Sequence, residues 1–531
     1  MKIKSIQLSL FMALAFAFTA SAQGPNAYTK KEKLTENELK RWSHLDLEKD
    51  SIPGMSIDKM YTELVKGKKG KKIIVGVVDS GVDIDHADLK PVVWTNTKEI
   101  PDNGIDDDKN GYVDDVHGWN FLGNVDGENL ELTRIVKKGD DGSATYASAK
   151  AEFDKKMTGL LKNKKQIDDI VQATKILADY FKKEDYTIEE VKAIVSDDAE
   201  IIRCKELIAK TGKAVEANTK FNKFKDQTYN QLNFNYNLEF DGKKIVGDNA
   251  DDMTSKSYGN NIVYGPTKKA SLHGTHVAGI IAQVRDNNVG GDGIANNVEI
   301  MSVRAIPNGD EYDKDVALAI RYAVDNGAKV INASFGKNYS PKKEWVYEAI
   351  KYAESKDVLI VHAAGNDSKD IDIENNFPND SDDKINEFAD NVITVGALNY
   401  EYGQKVVANF SNYGKQNVDV YAPGVKIYAT TPNDEYQYLQ GTSMASPNVA
   451  GVAAMIRSYY PNLTAQDVKY IIMNSGVAIT SDVNVGGNPN DQRPFDALSK
   501  SGKIVNGYNA MIMAEEMSKK PKKLKLNKVK G

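Results

Sequence analysis

The sequence predicts an α/β fold: a doubly wound, mostly parallel sheet with helices on both faces, plus a helical insertion. Three observations carry this expectation. Short β-branched runs such as Ile73-Ile74-Val75-Gly76-Val77-Val78 end in polar turns and read as strands buried on both faces. Helix-period segments alternate with such runs from about residue 255 onward, the pattern of a parallel sheet with crossover helices. Between about 145 and 225 the chain instead becomes rich in Lys and Asp with apolar residues at helical spacing.

Taken in order, the N-terminus has Lys2 and Lys4, an apolar run from Ile6 to Phe18, and Ala20-Ser21-Ala22. This reads as a secretory signal peptide over 1–22, cut after Ala22. A retained membrane anchor fits less well, because the run is short for a bilayer, and no other segment approaches membrane-spanning length. Export permits disulfides, yet Cys204 is the only cysteine, so no internal disulfide is expected, and no cysteine follows the signal to accept a lipid. Residues 23–54 are polar, with few core-forming residues, and are expected to be an N-terminal arm or short pro-segment. A capped helix over 56–65 leads into the first strand. Later elements are the strand near 300–303, helix 315–325, strand 329–333, helix 344–355, strands 358–361 and 392–395, and helix 464–474. The segment 505–510 closes a domain expected to span 55–518, and the Lys-rich tail 519–531 is expected to be solvated.

Chemistry concentrates at element ends. Asp79 closes its strand before Ser80-Gly81, where open α/β sheets carry their sites. His273 stands at the entrance of the small-residue helix His273-Gly-Thr-His-Val-Ala-Gly. Ser443, in Gly441-Thr-Ser-Met-Ala-Ser-Pro447, begins another, where free N–H groups and the helix dipole favour a developing anion. Pro447 is expected in the first turn of that helix. An acid, an imidazole and a hydroxyl form the set needed for acyl transfer.

On these motifs the chain closely resembles the subtilisin family of serine proteases, over about residues 55–125 and 255–480. The resemblance implies Asp79, His273 and Ser443 as a catalytic triad. It also implies Asn366, in Ala363-Ala364-Gly365-Asn366, as the oxyanion-hole residue, with Ala364 and Gly365 beside the substrate. Ser334-Phe335-Gly336 matches the stretch that lines substrate backbone in that family. His276 and His362 are expected to be packed residues, and His44, His86 and His117 structural ones.

The loop from Pro101 to Asp115 places oxygen ligands at Asp106, Asp108, Asn110 and Asp114 with Gly111 at the turn, as in calcium loops of the D-x-D-x-N-G type. His117 occupies the place of the usual bidentate Glu, so a solvated acidic turn is the competing reading. The resemblance adds Asp88 as a calcium ligand, with Asp286 in the matching loop.

Formal net charge is −6, from 69 basic and 75 acidic residues, which carries no nucleic-acid signature. The expected function is an exported, calcium-assisted serine endopeptidase acting on polypeptides, without stable membrane insertion once the signal is removed. A narrower version is a processing protease with few clients; a different class is an inactive, peptide-binding relative. Asp79 and His273 lie 194 positions apart, more than compact members of the family need. The insert between them should form a helical subdomain, with a capping box at Thr187-Ile188-Glu189-Glu190, whose base emerges near the cleft; a filter on substrates and a solvated stabilising appendage are the two readings of it.

Overall fold

The computed structural model describes residue 30, residues 32–215 and residues 217–520. The signal segment and most of the basic tail lie outside the described residues. The strands in chain order are β1 (Ile73–Asp79), β2 (Gly118–Asn120), β3 (Val298–Arg304), β4 (Val330–Ala333), β5 (Leu359–Ala363), β6 (Val392–Leu398), β7 (Val420–Pro423), β8 (Ile427–Thr431), β9 (Glu435–Leu439), β10 (Val477–Ala478), β11 (Asp482–Val485), β12 (Asn488–Pro494) and β13 (Lys503–Ile504). Nine of them form one sheet in the order β10-β13-β7-β6-β5-β4-β1-β3-β2. All its pairings are parallel except β10 with β13. β8 with β9, and β11 with β12, form separate hairpins.

Both faces of the sheet are covered, for a reason visible along β1. Val75 and Val77 face a cluster that includes Val277 and Ile281 of the helix Leu272–Ala282 and Val449 and Val452 of the helix Thr442–Tyr459. Val78 faces the opposite cluster with Ile320 of the helix Asp313–Asp325 and Ile350 of the helix Lys343–Ser355. Alternation along a strand buried on both sides therefore yields a continuously apolar run.

Two expectations need correction. Residues 34–54 are not a bare polar arm: Trp42, Leu47 and Ile52 are buried in the main core, and the Trp42 indole N–H donates to the Val425 carbonyl at 3.0 Å. Few apolar residues suffice here because each meets a surface already built by the sheet domain. Pro447 does not lie in a first turn; it is the sixth residue of the helix that starts at Thr442. A missing N–H there leaves the Ser443 carbonyl without its usual helical partner, and the Ser334 hydroxyl donates to that carbonyl at 2.9 Å.

The insert is helical, dominated by one helix of 38 residues, Ala144–Phe181, about 57 Å long at 1.5 Å per residue. The capping box of Thr187 and Glu190 is formed. The insert has two cores. Near its base, Phe153 and Leu160 pack with Leu132, Tyr236 and Tyr339. Farther out, Ile167, Ile170 and Leu177 pack with Val191, Cys204, Ile208 and Phe221. Leu161, Val171 and Tyr180, apolar residues of the same helix, are exposed. Two separate cores predict separable stability. Replacing residues 166–226 with a short Gly-Ser linker should shift the main thermal transition by less than about 4 °C, the scale of a 1 kcal/mol change. Loss of that transition would show that the outer core supports the sheet domain.

Candidate active site

The parallel register brings the candidate residues to one edge. Asp79 aligns with Arg304, Val78 with Ala333, and Ala333 with His362. The residues just beyond β1, β4 and β5 are Ser80, Ser334-Phe335-Gly336 and Ala364-Gly365-Asn366. Apart from Ala364, which is fully buried, all of them line a cleft of about 840 Å³ that also takes in Asp79, His273, Thr442 and Ser443.

His273 approaches Asp79 because Gly274 lets its helix lie against the turn after β1. A Cβ at Gly274 would come within 2.1 Å of the Gly81 carbonyl oxygen. The His273 Nδ1 is 2.7 Å from Asp79 Oδ1, which also accepts the Ser80 N–H at 2.7 Å. Asp79 is 1% exposed and its Oδ2 is buried without a partner, so the imidazole is its main charge complement. Burial pulls the His273 pKa down, but the charge and hydrogen bond of Asp79 pull harder and hold it above 6.5. Desolvation is the largest single contribution, and only the charge and the hydrogen bond of Asp79 together outweigh it.

The Ser443 hydroxyl donates to the Ser334 carbonyl at 3.1 Å, while Ser334 donates to the Ser443 carbonyl. The two serines thus hold each other across the cleft floor, and the Ser443 hydroxyl must rotate to meet His273. As the second helical residue, Ser443 has a backbone N–H without an intrahelical acceptor. Asn366 Oδ1 accepts from the Thr442 N–H at 2.8 Å and the Thr442 hydroxyl at 3.1 Å. Its Nδ2 is left uncommitted beside the cleft.

The other histidines are structural in their contacts. His276 and His362 are buried, and burial pushes both down to about 4. His362 Nε2 lies 2.8 Å from the Phe335 carbonyl and so braces the 334–336 strip. His86 and His117 contact the Glu435 and Trp94 carbonyls, and His44 is buried beside Arg285.

The acidic loop assembles only part of the expected metal set. Carboxylate oxygens of Asp106 and Asp108 gather with Glu99, all within 4.8 Å of one another, and Glu99 Oε2 is buried without a partner. Asn110 is in the same turn, its N–H donating to both aspartates at 3.0 Å. Asp114 does not join; its two oxygens accept the N–H groups of Asn103 and Gly104. Asp114 has a left-handed backbone, φ 53°, and its carboxylate is taken up by the 103–104 turn. Asp88 is also apart, taking the Asn287 amide at 2.5 Å, with Oδ2 buried and unpartnered. Asn287, not Asp286, is therefore the loop residue that meets it. Glu99 was missed because it precedes the motif and carries no spacing signal.

The Asp79 contact predicts its own titration. By NMR, His273 should titrate above 6.5 in the native protein, and Asp79→Asn should move it below that value, since the carboxylate charge is gone and desolvation then prevails. Equal values in the two proteins would remove Asp79 as the cause.

Comparison with known proteins gives a consistent picture. A model of the subtilase family matches residues 70–495. A thermophilic serine proteinase from Bacillus sp. (strain AK1) is 43% identical over 187 residues, 35% of this chain and 42% of that protein. Subtilisin DY from Bacillus licheniformis is 38% identical over 229 residues, 43% of this chain and 74% of its own length. Among solved structures, a protease from Pseudoalteromonas arctica PAMC 21717 is 30% identical, with 46% of this chain and 70% of that one aligned at a TM-score of 0.37. The chain thus spans less than half of the Bacillus sp. proteinase and about three quarters of subtilisin DY. With the Asp79, His273 and Ser443 motifs meeting in one cleft inside the matched span, the chain belongs to the subtilase family.

Proposed function

We propose that this chain is an exported serine endopeptidase that hydrolyses peptide bonds in polypeptides through an acyl-enzyme on Ser443. The observation that carries the reading is the convergence of Asp79, His273 and Ser443 at one cleft with the Asn366 amide uncommitted beside them. Ser443 Oγ, rotated from the Ser334 carbonyl, attacks the scissile carbonyl carbon while His273 Nε2 takes its proton. Asp79 keeps the proton on Nδ1 and stabilises the imidazolium. The Asn366 Nδ2 and the Ser443 N–H donate to the oxyanion. His273 then gives its proton to the leaving amine, and water repeats the sequence to free Ser443. Ser334, Phe335, Gly336, Ala364 and Gly365 border the substrate backbone. Export rests on the N-terminal signal, and among the described residues no helix is long and apolar enough to cross a membrane.

Calcium is proposed as a structural ion. The acidic loop fits it by donor chemistry, since three carboxylates converge and the Glu99 Oε2 lacks any other partner. Asp106, Asp108 and Glu99, with Asn110 beside them, would hold the ion there, while Asp88 with Asn287 would belong to a separate site. The ion would neutralise repulsion among these carboxylates and pin the loop.

The insert's base contributes Glu152 and Asn230 to the cleft wall, which supports the reading that it filters substrates. Replacing residues 145–225, which include Glu152, with a short Gly-Ser linker tests this: a filter predicts faster cleavage of folded substrates with unchanged short-peptide rates.

Ser443→Ala should abolish hydrolysis and labelling by a serine-directed phosphonate, and labelling that survives would sink the assignment. Asn366→Ala should lower kcat by roughly two to three orders of magnitude, the known effect of losing this donor in a subtilisin itself. Chelation should lower the melting temperature and calcium should restore it, because a ligand of the native state stabilises by mass action. Asp108→Ala should blunt that response; an unchanged response would assign the effect to another site.

A further inference from the structure

The wall of the cleft built by the insert and the segment after β3 is acidic. Asp126, Glu152, Asp310 and Glu311 line the cleft there, and Lys337 and Lys269 are its lining cations. Glu311 is 2% exposed, and its Oε1 is buried with no hydrogen-bond partner. The nearby cations are committed elsewhere. Lys337 Nζ binds Glu131 and Asp313, each at 2.9 Å, and the Glu311 carbonyl at 2.7 Å. Arg134 pairs with Glu131 at 2.5 Å and donates to the carbonyls of Asp310 and Glu311. The backbone of Glu311 therefore takes both cations, and its carboxylate takes neither. Asp310 accepts the Glu131 N–H at 2.7 Å.

A buried carboxylate oxygen without a partner is costly, and the surroundings worsen it. Arg134 and Lys337 together face four carboxylates, Glu131, Asp310, Glu311 and Asp313. Burial pushes Glu311 up to about 7; the charge of Lys337 works against this, while Asp310 and Asp313 add to it. A cation entering the cleft would relieve both the missing partner and the excess negative charge.

We propose that Glu311 is the counter-ion of a specificity subsite for a lysine or arginine side chain of the substrate polypeptide, on the insert side of the cleft. This rests on the reading of the cleft as a peptidase site and deepens it by naming a substrate class. Glu311 acts as a binding residue; it takes no part in bond breaking. Glu152, at the rim and carried by the insert, adds attraction for the same cation. The insert would thereby make selectivity as well as bulk part of its effect on the cleft.

The test uses acetyl-capped fluorogenic peptides in which lysine or the uncharged norleucine occupies each position N-terminal to the scissile bond. Acetylation keeps a terminal ammonium from substituting for the side chain. At one position the wild type at pH 8 should prefer lysine by roughly ten- to a hundredfold in kcat/KM, the scale of a charged hydrogen bond. Glu311→Gln should bring that ratio close to one, and Glu311→Asp should retain part of it. In the wild type the ratio should also rise with pH through about 7, because the carboxyl must ionise to hold the cation, and His273 cancels from the ratio. That pH dependence decides the matter even if Glu311→Gln folds poorly. A wild type that takes up the phosphonate yet shows no lysine preference, or a preference that persists in Glu311→Gln, overturns this inference alone. A wild type that takes up none overturns the peptidase reading and this inference with it.

Discussion

The helix Thr442–Tyr459 is the constraint on which the rest of the molecule depends. Sixteen of its 18 residues are buried, and it packs against β1, β4, β5, β6, β7 and the His273 helix. A helix can pass that close to a sheet and a second helix only if its side chains are small, hence Ala445, Ala450, Gly451, Ala453 and Ala454. At Gly451 a Cβ would come within 2.5 Å of Ile294. Packing of this density sets the height of the helix above the sheet, and so sets where Ser443 stands relative to β4.

Polar bonds then lock that position. Ser446 donates to Asn332 at 2.9 Å and to the Val361 carbonyl at 3.0 Å, joining the helix to β4 and β5. Pro447 releases the Ser443 carbonyl for Ser334, and Thr442 ties the helix start to Gly365 and Asn366. The Ser446 bonds are fully buried, where an unmade partner costs more than the bond itself contributes, and the others are part-buried at the cleft. On the far side of the cleft, Arg304 plays the corresponding part. Its fully buried guanidinium donates to the Ser80 and Val125 carbonyls and to Asn120, fastening the turn after Asp79 to β2. Burial there pulls its pKa down to about 10, and it stays cationic at neutral pH.

The insert enlarges this frame without entering it. Its base shares a small core with Leu132, Tyr236 and Tyr339, while its outer helices close a core of their own. Only the base borders the cleft. Loop insertions cost little closure entropy, so a long excursion between β1 and the His273 helix is compatible with an unchanged sheet.

The sequence by itself determined the fold class, and its motifs with the family resemblance pointed to Asp79, His273, Ser443 and Asn366, which line one cleft. Each couples a reactive group to an element end, and such local patterns survive without knowledge of what packs where. The strands and helices between 300 and 361 were legible for the same reason, to within two residues at their ends. Tertiary structure decided what local pattern cannot encode. It brought Glu99 to Asp106 and Asp108 and turned Asp114 away. It also buried Trp42 and Ile52 of an otherwise polar segment and left one carboxylate oxygen of Glu311 without a partner at the cleft. These outcomes depend on which distant groups share a low-dielectric space, and that is settled only when parallel strands far apart in the chain pair and close the interior.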